Sequence, residues 1–220
     1  MAYLYLVVAL VVSVVLHLSA MAIALHWCGV RLKRISFGLG PVILKVGIVT
    51  FSPLLLGGSV TMLDSREGPV SESELGQAFN YKPVWIQVLV PLSGVLALGI
   101  LGYGLVGSAM LPALFNGWYQ FVNVFSPGSS QMRLHEVRVF AETHSFSTVL
   151  GFTATKLAAI NLLPLPPLNG AQALINLIKM GQPEVSWEAR LLEWAIWPGL
   201  GLFVCWCLSI FVYFYRLLMR

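Results

Sequence analysis

Four stretches of this chain are long and apolar enough to be read as helices crossing a lipid bilayer: residues 2–27, 85–106, 146–163 and 191–215. Such a helix needs about 20 predominantly apolar residues. Charged residues make up only 10% of the chain, whereas a soluble domain carries about a quarter. So few charges could not cover a water-facing surface of this size, which excludes a soluble globular domain. The expected fold is membrane α-helical, with about four transmembrane helices in one integral-membrane domain spanning residues 1–220. The first block has no basic leader and no small-residue cleavage site, so it reads as a retained span. The fourth is rich in Trp and Tyr at both ends, as interface anchors are.

Charge gives the orientation. There are 13 basic and 9 acidic residues, and no long basic run that would suit nucleic acid. Six basic residues fall in 28–84, two in 107–145, two in 170–190 and two in the tail. An N-terminus outside places eight of these on the cytoplasmic side and four opposite, as the positive-inside rule favours. The three cysteines, Cys28, Cys205 and Cys207, form neither a disulfide framework nor a CxxC pair, and read as small packing residues.

Between the first two spans, residues 37–63 read FGLGPVILKVGIVTFSPLLLGGSVTML. Gly, Pro and β-branched residues argue against a straight helix. The expectation is a hairpin that turns at Ser52 and Pro53 and packs against the helices, since backbone groups inside a bilayer need partners. Residues 64–81 read as an ordinary cytoplasmic loop. Residues 107–145 read as an outer segment, with a turn at SPGSS, 126–130, and an amphipathic helix over 131–143 lying at the surface.

The third block runs into NLLPLPPLNG, residues 161–170. This string resembles the NxxPxPxLDG motif of the site-2 proteases, the M50-type intramembrane zinc metalloproteases. LGGSVTMLDSREG (56–68), AFNYK (78–82) and GVRLKRISFGLGP (29–41) resemble, in order, three further segments of that family. The resemblance implies a site-2-protease-like core with a membrane-dipping β-hairpin, in the plasma membrane of a bacterium. No internal segment is large enough for the PDZ domain of many members.

The departures fall on the chemistry. The family's HExxH motif supplies two zinc ligands one helical turn apart and a catalytic Glu. The matching residues here are His17, Leu18, Ser19, Ala20 and Met21. Leu18 cannot move a proton, and the thioether of Met21 is a poor zinc ligand. The third ligand, the Asp of LDG, is matched by Asn169. His26 lies nine residues from His17, on the opposite helical face and about 13 Å away along the axis. The site is therefore degenerate, with no catalytic residue expected and zinc expected to be absent. His17 reads as a buried relic, or as a polar contact on a partner or proton path. Asn161 and Asn169 read as satisfying backbone freed by Pro164, Pro166 and Pro167.

Lys156 lies within the third block, where no acidic residue of the first three blocks can pair with it. Two readings stay open: it snorkels to the outer interface, or a partner brings a counter-ion. The expected function is that of a pseudoprotease, binding another membrane protein without cutting it. The contact residues would be Val46 and Ile48 on the hairpin with Lys156 and Asn161. An active metalloprotease with a nonstandard site and a transport component are the alternatives.

Overall fold

The computed structural model describes residues 2–123, 127–182 and 186–219. Seven helices and one small sheet follow in the order α1 (Ala2–Trp27), β1 (Leu32–Leu39), β2 (Leu44–Val46), β3 (Val49–Phe51), β4 (Leu54–Met62), α2 (Val84–Val106), α3 (Met110–Val122), α4 (Pro127–Thr143), α5 (Phe146–Asn161), α6 (Asn169–Ile178) and α7 (Glu188–Leu218). Among the described residues, three helical stretches are long and apolar enough to cross a membrane: α1, residues 84–122 and α7. The chain is an integral membrane protein of mostly helical build.

The third apolar block gives α5, which has 16 residues. That is about 24 Å of helix against a hydrocarbon core of about 30 Å. Length and composition thus single out three spans where the sequence suggested four. α5 packs between α1 and α2 through small residues. Gly102 of α2 lies against Thr155 and Gly151, and an added Cβ there would fall 2.4 Å from Thr155 Oγ1. Val95, Leu98, Ala154 and Ala158 form the buried seam beside these positions. Close backbone approach of this kind replaces the hydrophobic drive that lipid does not supply.

The expected hairpin is instead a four-stranded sheet in the order β2-β3-β1-β4. β2 and β3 form a tight antiparallel pair, β3 runs parallel to β1, and the long pairing is β1 with β4, antiparallel. Residues 32–39, which carried no strand expectation, are therefore the centre of the sheet. Gly38 explains why the turn at Ser52 and Pro53 does not close a hairpin. It has φ +91°, and a Cβ on it would lie 2.5 Å from the Ser52 carbonyl oxygen. The chain crosses over β1 at this bare backbone and moves from one flank of it to the other.

The loop after β4 is pinned. Phe79 N–H donates to Leu63 O, and the Phe79 ring is fully buried with Leu25, Val30, Ile86 and Val90. Asn80, also fully buried, bonds both the backbone and hydroxyl of Ser65.

The outer segment differs too. Residues 110–122 form α3, which lies along α5 with Gly117 against Ala159, and Trp118 Nε1 donates to Ala159 O. The helix expected over 131–143 begins at Pro127, a residue suited to a first helical turn, and it packs on α1, α5 and α7. The first residue of the expected 126–130 turn lies outside the described residues.

Candidate functional site

His17 and Met21 are one turn apart on α1, so both side chains leave the same face. Opposite them stands Asn169, the first residue of α6. The turn of residues 162–168 delivers it there, and Gly170 lets that turn close: a Cβ on Gly170 would lie 2.3 Å from the Leu162 carbonyl oxygen. Asn169 Nδ2 is 2.9 Å from His17 Nε2 and 3.3 Å from Met21 Sδ. All three residues are buried.

The amide nitrogen carries two hydrogens and meets two acceptors. One hydrogen goes to the imidazole and one to the sulfur. His17 Nε2 must then be unprotonated, which places the ring hydrogen on Nδ1. Nδ1 faces Gly94 of α2 and has no hydrogen-bond partner among the described residues. A Cβ on Gly94 would fall 2.5 Å from it, so the ring occupies the space a side chain would need.

Leu18 does not enter this cluster. Its side chain turns to the sheet and meets Gly58 of β4, where an added Cβ would sit 2.5 Å from Leu18 Cδ1. An aliphatic plug between helix and sheet thus stands where a general base would be needed. His26, His135 and His144 are exposed and lie elsewhere. Among the described residues, no group of three His, Cys, Asp or Glu side chains is placed to hold a metal ion.

The donor set of one imidazole, one thioether and one carboxamide does not fit zinc, which takes His nitrogen, thiolate and carboxylate. The set lacks the second imidazole and the carboxylate that the family's motifs supply, and Leu18 holds the position of their Glu.

The four proposed contact residues separate into different settings. Val46 is exposed on β2, at the open edge of the sheet. Ile48 is exposed in the β2–β3 turn, with its carbonyl accepting from Ile35 N–H. Lys156 is half-buried, with its stem against Gly117 of α3, and forms no ion pair among the described residues. Asn161 turns back to donate to Leu157 O in its own helix, so its amide serves the end of α5.

A second polar cluster went unread in the sequence. Lys179, whose side chain is fully buried, donates to both carboxylate oxygens of Glu188 at 3.0 and 2.9 Å. Arg66 bonds Glu188 at 2.6 Å and also pairs with Asp64. Four charges thus join the end of β4, the end of α6 and the start of α7. Burial opposes ionisation of Asp64, but the hydrogen bonds and charge of Arg66 outweigh it and hold the carboxyl below its ordinary range. The same pairing raises Arg66. Asp64, Arg66 and Glu188 line a cavity of about 580 Å³ together with Pro166, Pro167 and Asn176. The available signal was rarity: a chain with so few charges places Asp64 and Arg66 two apart, and Lys179 close before Glu188.

The model of peptidase family M50 matches residues 5–196. The chain belongs to this family. A relative from Neisseria meningitidis, named provisionally as a zinc metalloprotease, is 39% identical over 105 residues, covering 44% of this chain and 23% of that protein. One from Xylella fastidiosa, named in the same way, is 37% identical over 75 residues, covering 32% and 17%. The regulator of sigma E protease from Haemophilus influenzae is 28% identical over 179 residues, covering 74% of this chain and 40% of its own length. The chain therefore spans well under half of each of these relatives. The family match places the three-residue cluster of His17, Met21 and Asn169 inside a metalloprotease fold.

Proposed function

We propose that this M50 member is a pseudoprotease: a catalytically inactive membrane protein that binds a segment of another membrane protein and holds it without cutting. The observation that carries this reading is the Asn169 amide lodged between His17 Nε2 and Met21 Sδ. Those atoms are already joined by hydrogen bonds, and Leu18 occupies the base position. The names of the relatives favour the opposite reading, an active metalloprotease, but fold alone does not carry chemistry.

The binding half of the proposal rests on the sheet. β2 is an edge strand, and all three of its residues are exposed. Unpaired strand donors and acceptors in hydrocarbon cost several kcal/mol each. An extended segment added to β2 would satisfy them with little demand on its sequence. The protein would sit in a bacterial inner membrane with its N-terminus outside.

The test uses photo-crosslinking amino acids at Val46 and Ile48 in membranes of the source cell. The expected result is capture of one intact membrane protein, at the same yield in wild type and His17→Ala. Capture of lipid alone removes the binding role. Accumulation of a cleaved product that vanishes with His17→Ala removes the inactivity.

A further inference from the structure

The packing of α5 sets the depth of Lys156. Ala154 and Ala158 are fully buried in one seam with Val95 and Leu98 of α2, and Leu16 of α1 packs against that seam. Val95 is the middle residue of α2, with residues 84–94 before it and 96–106 after it. Leu16 lies close to the middle of α1. Each of these helices belongs to a stretch long and apolar enough to cross a membrane. Lys156 falls between Ala154 and Ala158, so its backbone stands near the centre of both spans. Half of α2 is about 16 Å long. A four-carbon stem does not cover that distance, so snorkelling does not bring this ammonium to the headgroups.

The chain offers it no anion. The helices packed around it, α1, α2 and α3, carry no Asp or Glu, and neither does α5 itself. The two acidic residues of α4, Glu136 and Glu142, already pair with Arg133 and Arg138 of their own helix. Lys156 forms no ion pair among the described residues. Its stem passes close to the bare backbone of Gly117, where an added Cβ would lie 3.4 Å from Lys156 Cδ. The side chain is still half-exposed, and so are Thr153 and Ile160, three residues before it and four after it on the same face of α5. The cation is thus reachable from outside the chain.

An ionisable group at such depth is costly and ordinarily pairs with another inside the bilayer. The counter-ion has to reach the same depth. A lipid phosphate stays at the headgroups, and a soluble anion does not enter hydrocarbon. A carboxylate carried on a membrane-embedded helix meets the requirement, and the ammonium can donate to its oxygens as a charge-assisted hydrogen bond. We propose that Lys156 is the docking point for a transmembrane segment of another membrane protein that carries an Asp or Glu near mid-membrane. This inference rests on the binding role given above and adds the chemistry of the partner. It concerns α5 rather than the edge of the sheet, and it does not depend on the His17 cluster.

The test places a photo-crosslinking amino acid at Thr153 or Ile160 in membranes of the source cell and maps the captured segment by mass spectrometry. The expected product is one membrane protein, joined through an apolar segment that holds an Asp or Glu. Lys156→Met should weaken the complex about thirtyfold, as loss of one member of a buried interfacial charge pair does. Neutralising the partner's acidic residue should do the same, and Lys156→Arg should keep most of the binding. Exchanging the charges, with Lys156→Glu here and Lys in place of the partner's acid, should restore it. The purified Lys156→Met chain alone should melt no lower than wild type, because no contact within the chain depends on the ammonium. A lower melting midpoint in that variant overturns the proposal, as does a captured segment without an acidic residue, or capture of phospholipid alone. If Val46 and Ile48 capture a protein whose yield Lys156→Met leaves unchanged, the binding role stands and the assignment of Lys156 falls. If no position captures a protein, both fall.

Discussion

Asn169 Nδ2 stands 2.9 Å from His17 Nε2, across 152 residues of sequence. In this contact the His17 Nε2 serves as an acceptor for the Asn169 amide. Elemental analysis of the purified protein should therefore find no stoichiometric zinc. The variant Leu18→Glu, Met21→His and Asn169→Asp rebuilds two ligands and the base on the same backbone positions, and should gain about one zinc per chain if it folds. Leu18→Glu on its own should reduce stability without adding metal, because the new carboxylate meets Gly58 and the sheet. One zinc per wild-type chain, lost in His17→Ala, would falsify this expectation.

Gly94 is the other wall of that pocket. Its missing side chain leaves room for the His17 ring, and a Cβ would also lie 2.7 Å from the backbone oxygen of His17. Backbone cannot swing aside as a flexible side chain can, so Gly94→Ala should push α1 and α2 apart and cost about 1–3 kcal/mol. Gly104 lies on the same helix with nothing within 4 Å of its would-be Cβ. Gly104→Ala should be neutral or stabilising by about 0.5–1 kcal/mol. Thermal melts in one detergent compare the two. Equal effects would mean that the α1–α2 contact does not set the tolerance.

Much of this was readable before any fold was known, and the failures have physical causes. α1, α2 and α7 follow from uninterrupted apolar runs, and the His17, Met21 and Asn169 grouping follows from the resemblance to the family's HExxH and LDG motifs. The strand at residues 32–39 was obscured because Lys33 and Arg34 interrupt its pattern, while its pairing with β4 depends on contacts some twenty residues away. The crossing at Gly38 depends on a left-handed backbone that Gly permits but does not announce. α3 was missed because an apolar segment of 13 residues is too short to read as a span. Asp64, Arg66, Lys179 and Glu188 were passed over because a charge in a loop ordinarily reads as solvated, and only the fold brings these four together.

Orientation is open to a direct experiment. The six basic residues in 28–84 favour that loop on the cytoplasmic side. Ser73 is exposed there and lies outside the sheet. With the native cysteines replaced, Ser73→Cys should resist an impermeant maleimide added to intact cells and react once the membrane is opened. Labelling in intact cells would invert the topology.

The ion cluster at the foot of α7 makes the last prediction. Little of α7 is buried, so its attachment at this end leans on Glu188, held by Lys179 and Arg66. Removing one member of a buried pair leaves an uncompensated charge and costs about 3–5 kcal/mol. Lys179→Met should approach the lower end of that range, because Arg66 still serves Glu188. Replacing both Lys179 and Glu188 by Met should recover part of the loss, since a well-packed apolar pair avoids the desolvation cost. The acid limb reports on Asp64. Its carboxyl is held below the ordinary value in the folded protein, so the unfolded chain binds its proton first as pH falls. The stabilisation is complete above the unfolded value of about 4 and is lost as pH drops through the lower folded value. Melting midpoints should therefore fall below about pH 4 in wild type. Asp64→Asn should melt lower at neutral pH and show a shallower decline over that window. An unchanged acid limb in Asp64→Asn, or full stability in Lys179→Met, would show that α7 is held by its apolar contacts alone.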